Sequence, residues 1–296
     1  MTNIRIGVVG IPGKWSTDIL ADAIEQRTGF RLVIDMAQVE LDMQNNQLLF
    51  QNRDLCQLDG LLVKKISNEY SPAALDRLEL LRVAEVQGVR VFSGVENMLR
   101  LINRLSCTIT LRNNGIPMPD TCITENIDAA MATIKQFGSA VFKPLFSTKA
   151  RGMMLIESAQ PEDQLRSSIT DFQRHNPMMY IQRKIVLPGH DLGMVFLGGN
   201  YLGTYARVSQ TEAWNTTIHS GGHYAAYTPS EDMIALARRA QAPFNMDFTT
   251  VDVAESEHGP IVFEVSAFGG FRGALQGANI DAATAYADYA LARLAG

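Results

Sequence analysis

Cysteine is scarce in this chain: Cys56, Cys107 and Cys122 are the whole set, and no two form a CxxC spacing. An odd set of thiols excludes a disulfide framework and fits reduced packing residues in a cytosolic protein. Long apolar runs are absent, so nothing in the sequence reaches membrane-spanning length. The opening MTNIRIGVVG reads as a strand, too short and too soon interrupted for a signal peptide. A basic surplus is missing too. Lys and Arg number 26 against 31 Asp and Glu, for a net charge of -5 and a pI near 5.6. That balance argues against nucleic-acid and membrane-surface partners, although it leaves room for a local basic pocket. His219 and His223 are four apart, but Gly221-Gly222 breaks any helix that would pair them on zinc. No repeat or low-complexity linker interrupts the chain. The expectation is a cytoplasmic protein.

At 296 residues, 46% of them hydrophobic, the chain has enough material for two or three packed domains. Its first hundred residues alternate strand and helix. Ile4–Val9 is strand-like and leads into Gly10-Ile-Pro-Gly-Lys-Trp, then a helix expected to be capped by Ser16 or Thr17. Further strand-like runs fall at Arg31–Met36, Gly60–Lys64 and Val89–Ser93, with a helix opened by Ser71-Pro72 before the last. Such alternation indicates an open parallel α/β sheet. The GIPGKWST loop is not a P-loop, because Val8 stands where the first glycine belongs and Trp15 where Ser or Thr should follow Lys14.

From Asn103 the pattern changes to α+β. Helices are expected over Leu105–Asn113, Asp128–Phe137 and Pro161–His175, and strands in AVFKPLF, MMLIE and MYIQRKIVL. A hairpin with a Gly-Gly-Asn turn follows from Asp191, then helices at Ser230–Ala242 and Ile280–Ala295. These changes divide the chain into 1–103, 104–187 and 188–296.

The segment TTVDVAESEHGPIVFEVSA, Thr249 to Ala267, reads as two strands around a Glu257-His258-Gly259 loop. Pairing Ser256 with Pro260 puts Asp252 opposite Glu264 and sets Thr250 and Ser266 on their face, with Val251, Val253, Phe263 and Val265 on the other. Facing carboxylates repel, and a divalent cation removes the penalty. Mg²⁺ suits one or two carboxylates together with phosphate oxygens. Upstream, Lys143 ends an apolar strand, and the loop Ser147-Thr-Lys-Ala-Arg-Gly152 offers hydroxyls, amides and the cations Lys149 and Arg151 to a polyphosphate.

This order of elements resembles the ATP-grasp superfamily, most closely its RimK-like branch of ATP-dependent glutamate ligases. The resemblance rests on Gln182, Asp191, Arg207, His219, Gly221, Gly222, Asp252, Glu264 and Asp281, which keep their mutual spacing. A closer likeness is to the uncharacterised ATP-grasp proteins of the bacterial GAK gene cassette. The resemblance implies an ATP-grasp fold over Arg104 to about Ala287, preceded by an open parallel α/β domain. It implies Lys143 on the α-phosphate, Gln182, Arg183, Lys184 and Ile185 along adenine, and Asp191 on the ribose side. Asn215, Thr216 and Thr217 would lie near the γ-phosphate, with Arg207 stabilising charge in transfer. Asp252, Glu264 and Ser266 would hold Mg²⁺, with Mn²⁺ as a substitute ion.

The chain departs from the family pattern at several of these positions. Ser266 stands where the family has Asn, Gly193 where it has the Arg of Asp-x-Arg, Asn215 where a basic residue is usual, and Arg104 where an upstream Lys contacts ATP. Lys149, Arg151, Arg183, Lys184 and Arg272 add positive charge, as if the site were rebuilt for a different acceptor. The implied activity is ATP-dependent ligation of a carboxylate to an amine through an acyl phosphate, with both substrates and any homo-oligomer unidentified. The alternatives are a non-catalytic nucleotide-binding component and a phosphotransferase with another acceptor.

Overall fold

The computed structural model describes residues 4–209 and 221–296. Asn215, Thr216, Thr217 and His219 therefore lie outside the described residues. The N-terminal part runs β1 (Ile6–Val9), α1 (Trp15–Thr28), β2 (Val33–Ile34), β3 (Glu40–Asp42), β4 (Gln47–Phe50), β5 (Arg53–Asp54), β6 (Gly60–Val63), α2 (Pro72–Val86), β7 (Arg90–Val91) and α3 (Val95–Ile102). Strands β2-β1-β6-β7 form the expected parallel sheet, with β1 and β6 central and every residue of both buried. The sequence reading missed the antiparallel meander β3-β4-β5. Its second turn holds Gln51 and Asn52 at φ 50° and 60°, the backbone of a tight hairpin without glycine.

Helix α1 is not capped by Ser16 or Thr17. Lys14 is its N-cap and offers no side-chain bond. Thr17 is instead buried beneath the turn, where its hydroxyl accepts from the Ile11 amide at 3.3 Å. A methyl group at Gly10 would meet Thr17 at 2.5 Å, so the tightness of the strand-to-helix turn draws Thr17 inward and away from capping.

The middle region contains α4 (Arg104–Asn113), β8 (Thr121–Thr124), α5 (Ile127–Phe137), β9 (Ser139–Lys143), β10 (Met154–Glu157), α6 (Glu162–His175) and β11 (Met179–Arg183). Sheet β10-β9-β11-β8 is antiparallel throughout and packs under α5 and α6. Its core, including Ile134, Phe142, Ile169, Phe172 and Ile181, is separate from the rest. Helix α4 contributes Cys107 and Leu111 to a different core, shared by the N-terminal sheet and the last third of the chain.

That last third is β12 (His190–Leu197), β13 (Asn200–Val208), β14 (His223–Ala226), α7 (Glu231–Gln241), β15 (Phe248–Ser256), β16 (Gly259–Ser266), α8 (Phe271–Ala278) and α9 (Ala282–Ala295). Five strands, ordered β14-β13-β12-β15-β16, make an antiparallel sheet. Leu192, Met194, Phe196, Ala206, Val251 and Val253 share one core with α7, while Val195, Tyr205 and Phe248 share another with α8, α9 and β1. The α8 segment, FRGALQGA, was not foreseen because its glycines lower helix propensity. Cys56 and Cys107 are buried, and burial pushes the Cys107 thiol up to about 12, consistent with packing rather than reactivity. Among the described residues, no helix is long and apolar enough to cross a membrane.

Candidate active site

The β15–β16 hairpin does place Asp252 opposite Glu264, but by a different route from the one expected. Ser256 pairs with Gly259, so the turn is the two residues Glu257 and His258. A bulge then restores the register: Val253 pairs with Val262 and Asp252 with Glu264, leaving Phe263 as the extra residue. The expectation that Phe263 joins Val251, Val253 and Val265 in the core therefore fails. Its ring instead lies under the Lys143 ammonium, 5.3 Å from the centroid.

Across the sheet, Tyr205, Gly193, Asp252 and Glu264 form one row on β13, β12, β15 and β16. Asp191 faces Arg207 two residues along. The pleat sends alternate residues to opposite faces, so the apolar neighbours enter the core with α7 and the charged set collects on the other side.

Arg207 holds this set together. Its Nε donates to Asp191 Oδ1 at 3.0 Å, its Nη2 donates to Asp191 Oδ2, and the same Nη2 is 3.1 Å from Asp252 Oδ2. Burial pushes the Asp252 carboxyl well above its usual range; Arg207 opposes that, and Glu264 and Asp191 reinforce it. Asp252 Oδ1 is buried with no hydrogen-bond partner among the described residues. A buried carboxylate oxygen is rarely left unsatisfied, and two facing carboxylates with one orphaned oxygen suit a hard divalent cation. Ser266 lies opposite Thr250, and its carbonyl accepts from Thr249 Oγ1 at 2.6 Å.

Lys143 ends β9 half-buried, its Nζ donating to Gln182 Oε1 at 2.5 Å. Burial pushes this lysine down to about 7; Arg104 adds to the effect, while Glu264 and Asp252 counter it. Arg104 is the first residue of α4, and Asn103 caps the helix by accepting from the Leu105 and Ser106 amides. The guanidinium donates to Glu264 Oε2 at 2.7 Å, Pro144 O at 3.2 Å and Ser147 Oγ at 3.5 Å. Arg104 thus ties Glu264 to the loop after β9.

The remaining sequence-predicted cations go elsewhere. Arg183 sits 3.1 Å from Asp120 and over the Phe137 ring. The Arg183 and Lys184 amides donate to Asp120 O and Ser139 O, so hinge contacts from these two residues would have to come from carbonyl oxygens. Ile185 lies two residues beyond the end of β11. Lys149 and Arg151 lie on the loop beside Lys14 and Lys65, two residues that the sequence reading did not single out. A signal was present, since both follow central strands of the parallel sheet.

Tyr205 was missed as well. A Cβ at Gly193 would sit 2.3 Å from its Cζ and 2.5 Å from its hydroxyl, and Cβ atoms at Gly273 and Gly277 would clash with the same side chain. The ring therefore fills the space above Gly193, where the family's arginine would start. A second cavity, about 410 Å³ around Arg90, Asp247 and Tyr289, contains none of these residues.

Two facing carboxylates thus lie on a five-stranded antiparallel sheet, with Lys143 on a separate four-stranded one. The chain belongs to the RimK-like ATP-grasp family, whose domain model matches residues 102–290. It is similar to the tetrahydromethanopterin:alpha-L-glutamate ligase of Methanosarcina acetivorans, 24% identical over 85% of this chain and 82% of that one. It is also similar to the ribosomal protein bS6–L-glutamate ligase of Salmonella paratyphi B, 27% identical over 72% of this chain and 69% of that one. Among solved structures, the ATP-grasp ligase PsnB with its minimal precursor superposes with a TM-score of 0.76 at 18% identity, covering 98% of this chain and 99% of PsnB. A RimK-domain ATP-grasp protein from Sphaerobacter thermophilus gives 0.72 at 21% identity, covering 97% and 99%. The expected α/β, ATP-grasp fold is therefore correct. The family uses ATP and Mg²⁺, and PsnB has been solved with Mg and ADP.

Proposed function

We propose that this protein is an ATP-dependent carboxylate–amine ligase whose catalytic centre is the Asp252–Glu264 row. The observation that carries the reading is the buried Asp252 Oδ1 without a partner, facing Glu264 across the hairpin and flanked by Arg207 and Lys143. Asp252 and Glu264 would hold Mg²⁺, with Ser266 beside them, and the same oxygen donors suit Mn²⁺. When bound, the ion supplies charge neutralisation between the phosphates of ATP.

The chain's own residues do the rest. Lys143, held by Gln182 and Phe263, presents an ammonium to the polyphosphate from a fixed strand end. Arg104 positions the loop through Ser147 and Pro144 while holding Glu264. Arg207 neutralises Asp191 and Asp252 and can share its charge with a transferring phosphoryl group. In this reading Gln182 to Ile185 line the adenine side, with Asp191 toward the ribose; a role near the γ-phosphate for Asn215, Thr216 and Thr217, which lie outside the described residues, rests on the family resemblance alone. Attack of a substrate carboxylate on the γ-phosphorus expels ADP and gives an acyl phosphate; an amine then attacks the acyl carbon, expelling inorganic phosphate and losing a proton as the amide forms. Such transfer requires positioning and charge neutralisation rather than a protein nucleophile.

Because the curated relatives are named glutamate ligases, L-glutamate is the first amine to test. ADP release that requires both an acid from a panel and the amine, with amide formed in equal amount, supports the ligase. Steady ATP hydrolysis that ignores both additions overturns it.

A further inference from the structure

The parallel sheet carries a feature that the nucleotide site does not use. Strand β1 leads through α1 to β2 on one side, while β6 leads through α2 to β7 on the other. The adjacent strands β1 and β6 thus diverge at their C-terminal ends. In open α/β sheets ligands bind in the crevice at such a switch point. Lys14 stands there after β1 as the N-cap of α1, and Lys65 follows β6, its amide donating to Val9 O at 3.2 Å.

The loop after β9 closes the crevice from above. Lys149 and Ala150 both take left-handed backbone, at φ 61° and 57°, and Arg151 donates to Glu69 Oε1 at 2.7 Å. The result is a cavity of about 470 Å³ lined by Lys14, Lys65, Asn68, Glu69, Lys149 and Arg151. Four cations meet one carboxylate, and Glu69 already pairs with Arg151. Lys65 is pushed down by burial and then by Lys149, Arg151 and Lys14; Lys149 by burial and then by Arg151, Lys14 and Arg272. Arg272, stacked over Trp15 at 5.0 Å, extends the positive field toward α8. In a chain of net charge -5, this concentration of unneutralised lysine costs stability unless an anion occupies it.

We infer that this cavity binds a doubly charged anionic group, phosphate or dicarboxylate, on the substrate joined by the ligase rather than on ATP. The inference rests on the ligase reading for the word substrate; the anion site itself stands on the crevice and its lysines. Lys14 and Lys65 come from the sheet that carries no part of the nucleotide site, so the anion they hold lies beyond the triphosphate. The reacting carboxylate or amine would extend from there toward Asp252 and Glu264.

The test is calorimetry on protein saturated with Mg²⁺ and the non-hydrolysable analogue AMP-PNP, titrated with inorganic phosphate in one arm and the dicarboxylate glutarate in the other. Binding of either anion, weakened about tenfold or more in Lys14→Ala and in Lys65→Ala with AMP-PNP affinity unchanged, supports the inference. The arm that binds more tightly names the group. Lys65→Met, which keeps the apolar stem, provides a second reading if Lys65→Ala melts early. Equal anion affinity in wild type and variants overturns the inference, as does absence of binding by either anion up to about 10 mM. Anion binding that AMP-PNP abolishes also overturns it, because the cavity would then be the triphosphate site. Failure of the nucleotide reading looks different: AMP-PNP itself would not bind, while anion titration of the nucleotide-free protein would still read the cavity.

Discussion

Removing one of the two facing carboxylates separates a metal site from a structural ion pair. Asp252→Asn keeps the shape of the side chain and removes its charge. In the metal-free protein the change removes repulsion from Glu264 and Asp191 and the cost of burying a carboxylate whose Oδ1 has no partner. It also loses one Arg207 contact at 3.1 Å, but Arg207 keeps its two bonds to Asp191. An unsatisfied buried acceptor costs about 1–3 kcal/mol and a charge-assisted bond contributes a similar amount. The two effects therefore leave stability without metal unchanged or raised by about 1 kcal/mol, a melting shift of about 2 °C for a chain of this length. With Mg²⁺ and AMP-PNP the balance reverses. Wild type should gain stability and the variant should not, because one of two anionic donors is gone. Nucleotide affinity in the presence of Mg²⁺ should fall by about tenfold to a hundredfold, or about 1.4–2.7 kcal/mol. Melting curves with EDTA and with Mg²⁺, followed by calorimetry, read both effects. If Asp252→Asn and Glu264→Gln both melt early without metal and keep the full Mg²⁺ response, the pair is structural and the metal lies elsewhere.

Three further outcomes follow from the same geometry. Gly193→Ala should destabilise the fold by about 1–3 kcal/mol through overpacking against Tyr205, and Tyr205→Ala in the same chain should recover part of the loss in a double-mutant cycle; additive effects would show that the ring does not fill the space above Gly193. Lys143→Ala should cost far more AMP-PNP affinity than Lys149→Ala, since Lys143 is fixed at a strand end and Lys149 faces the other cavity; equal losses would mean a diffuse basic patch. Lys64, buried with its Nζ on Gly269 O at 2.6 Å and over Phe271, is pushed down to about 7. Above that pH the unfolded chain holds one more proton than the folded one, so wild type should gain on Lys64→Met by up to about 1.4 kcal/mol per pH unit until about pH 10. Parallel stability curves for the two proteins across that range would contradict the shift.

The sequence made legible what depends on local periodicity and turn chemistry. The parallel strands, the Ser71-Pro72 helix start and the 252–264 pairing were all readable, the last because the misplaced turn and the unforeseen bulge offset each other. The bulge itself was not readable, since nothing in GPIVFEVS marks Phe263 as the extra residue. The β3-β4-β5 meander was hidden by strands of two to four residues whose turns use Asn and Gln rather than glycine. Helix α8 was hidden by the glycines that make room for Tyr205. In the site, Asp252 and Glu264 were found through hairpin register, Lys143 as the end of an apolar strand and Arg104 through the family resemblance, and the structure brings the four together. The second cation group was not, because Lys14 and Lys65 meet Lys149 and Arg151 only through tertiary packing between two sheets far apart in the chain.

The most direct test of the central claim follows the oxygen of the acid. A small-molecule extract whose carboxylates carry heavy oxygen is incubated with the protein, Mg²⁺, ordinary ATP and L-glutamate in ordinary water, and the released phosphate is weighed by mass spectrometry. Passage through an acyl phosphate moves one carboxylate oxygen into that phosphate, so the account predicts inorganic phosphate heavier by one labelled atom, formed in step with ADP and absent with Glu264→Gln. ATP consumed by the wild type with only unlabelled phosphate released would make water the acceptor and contradict the account.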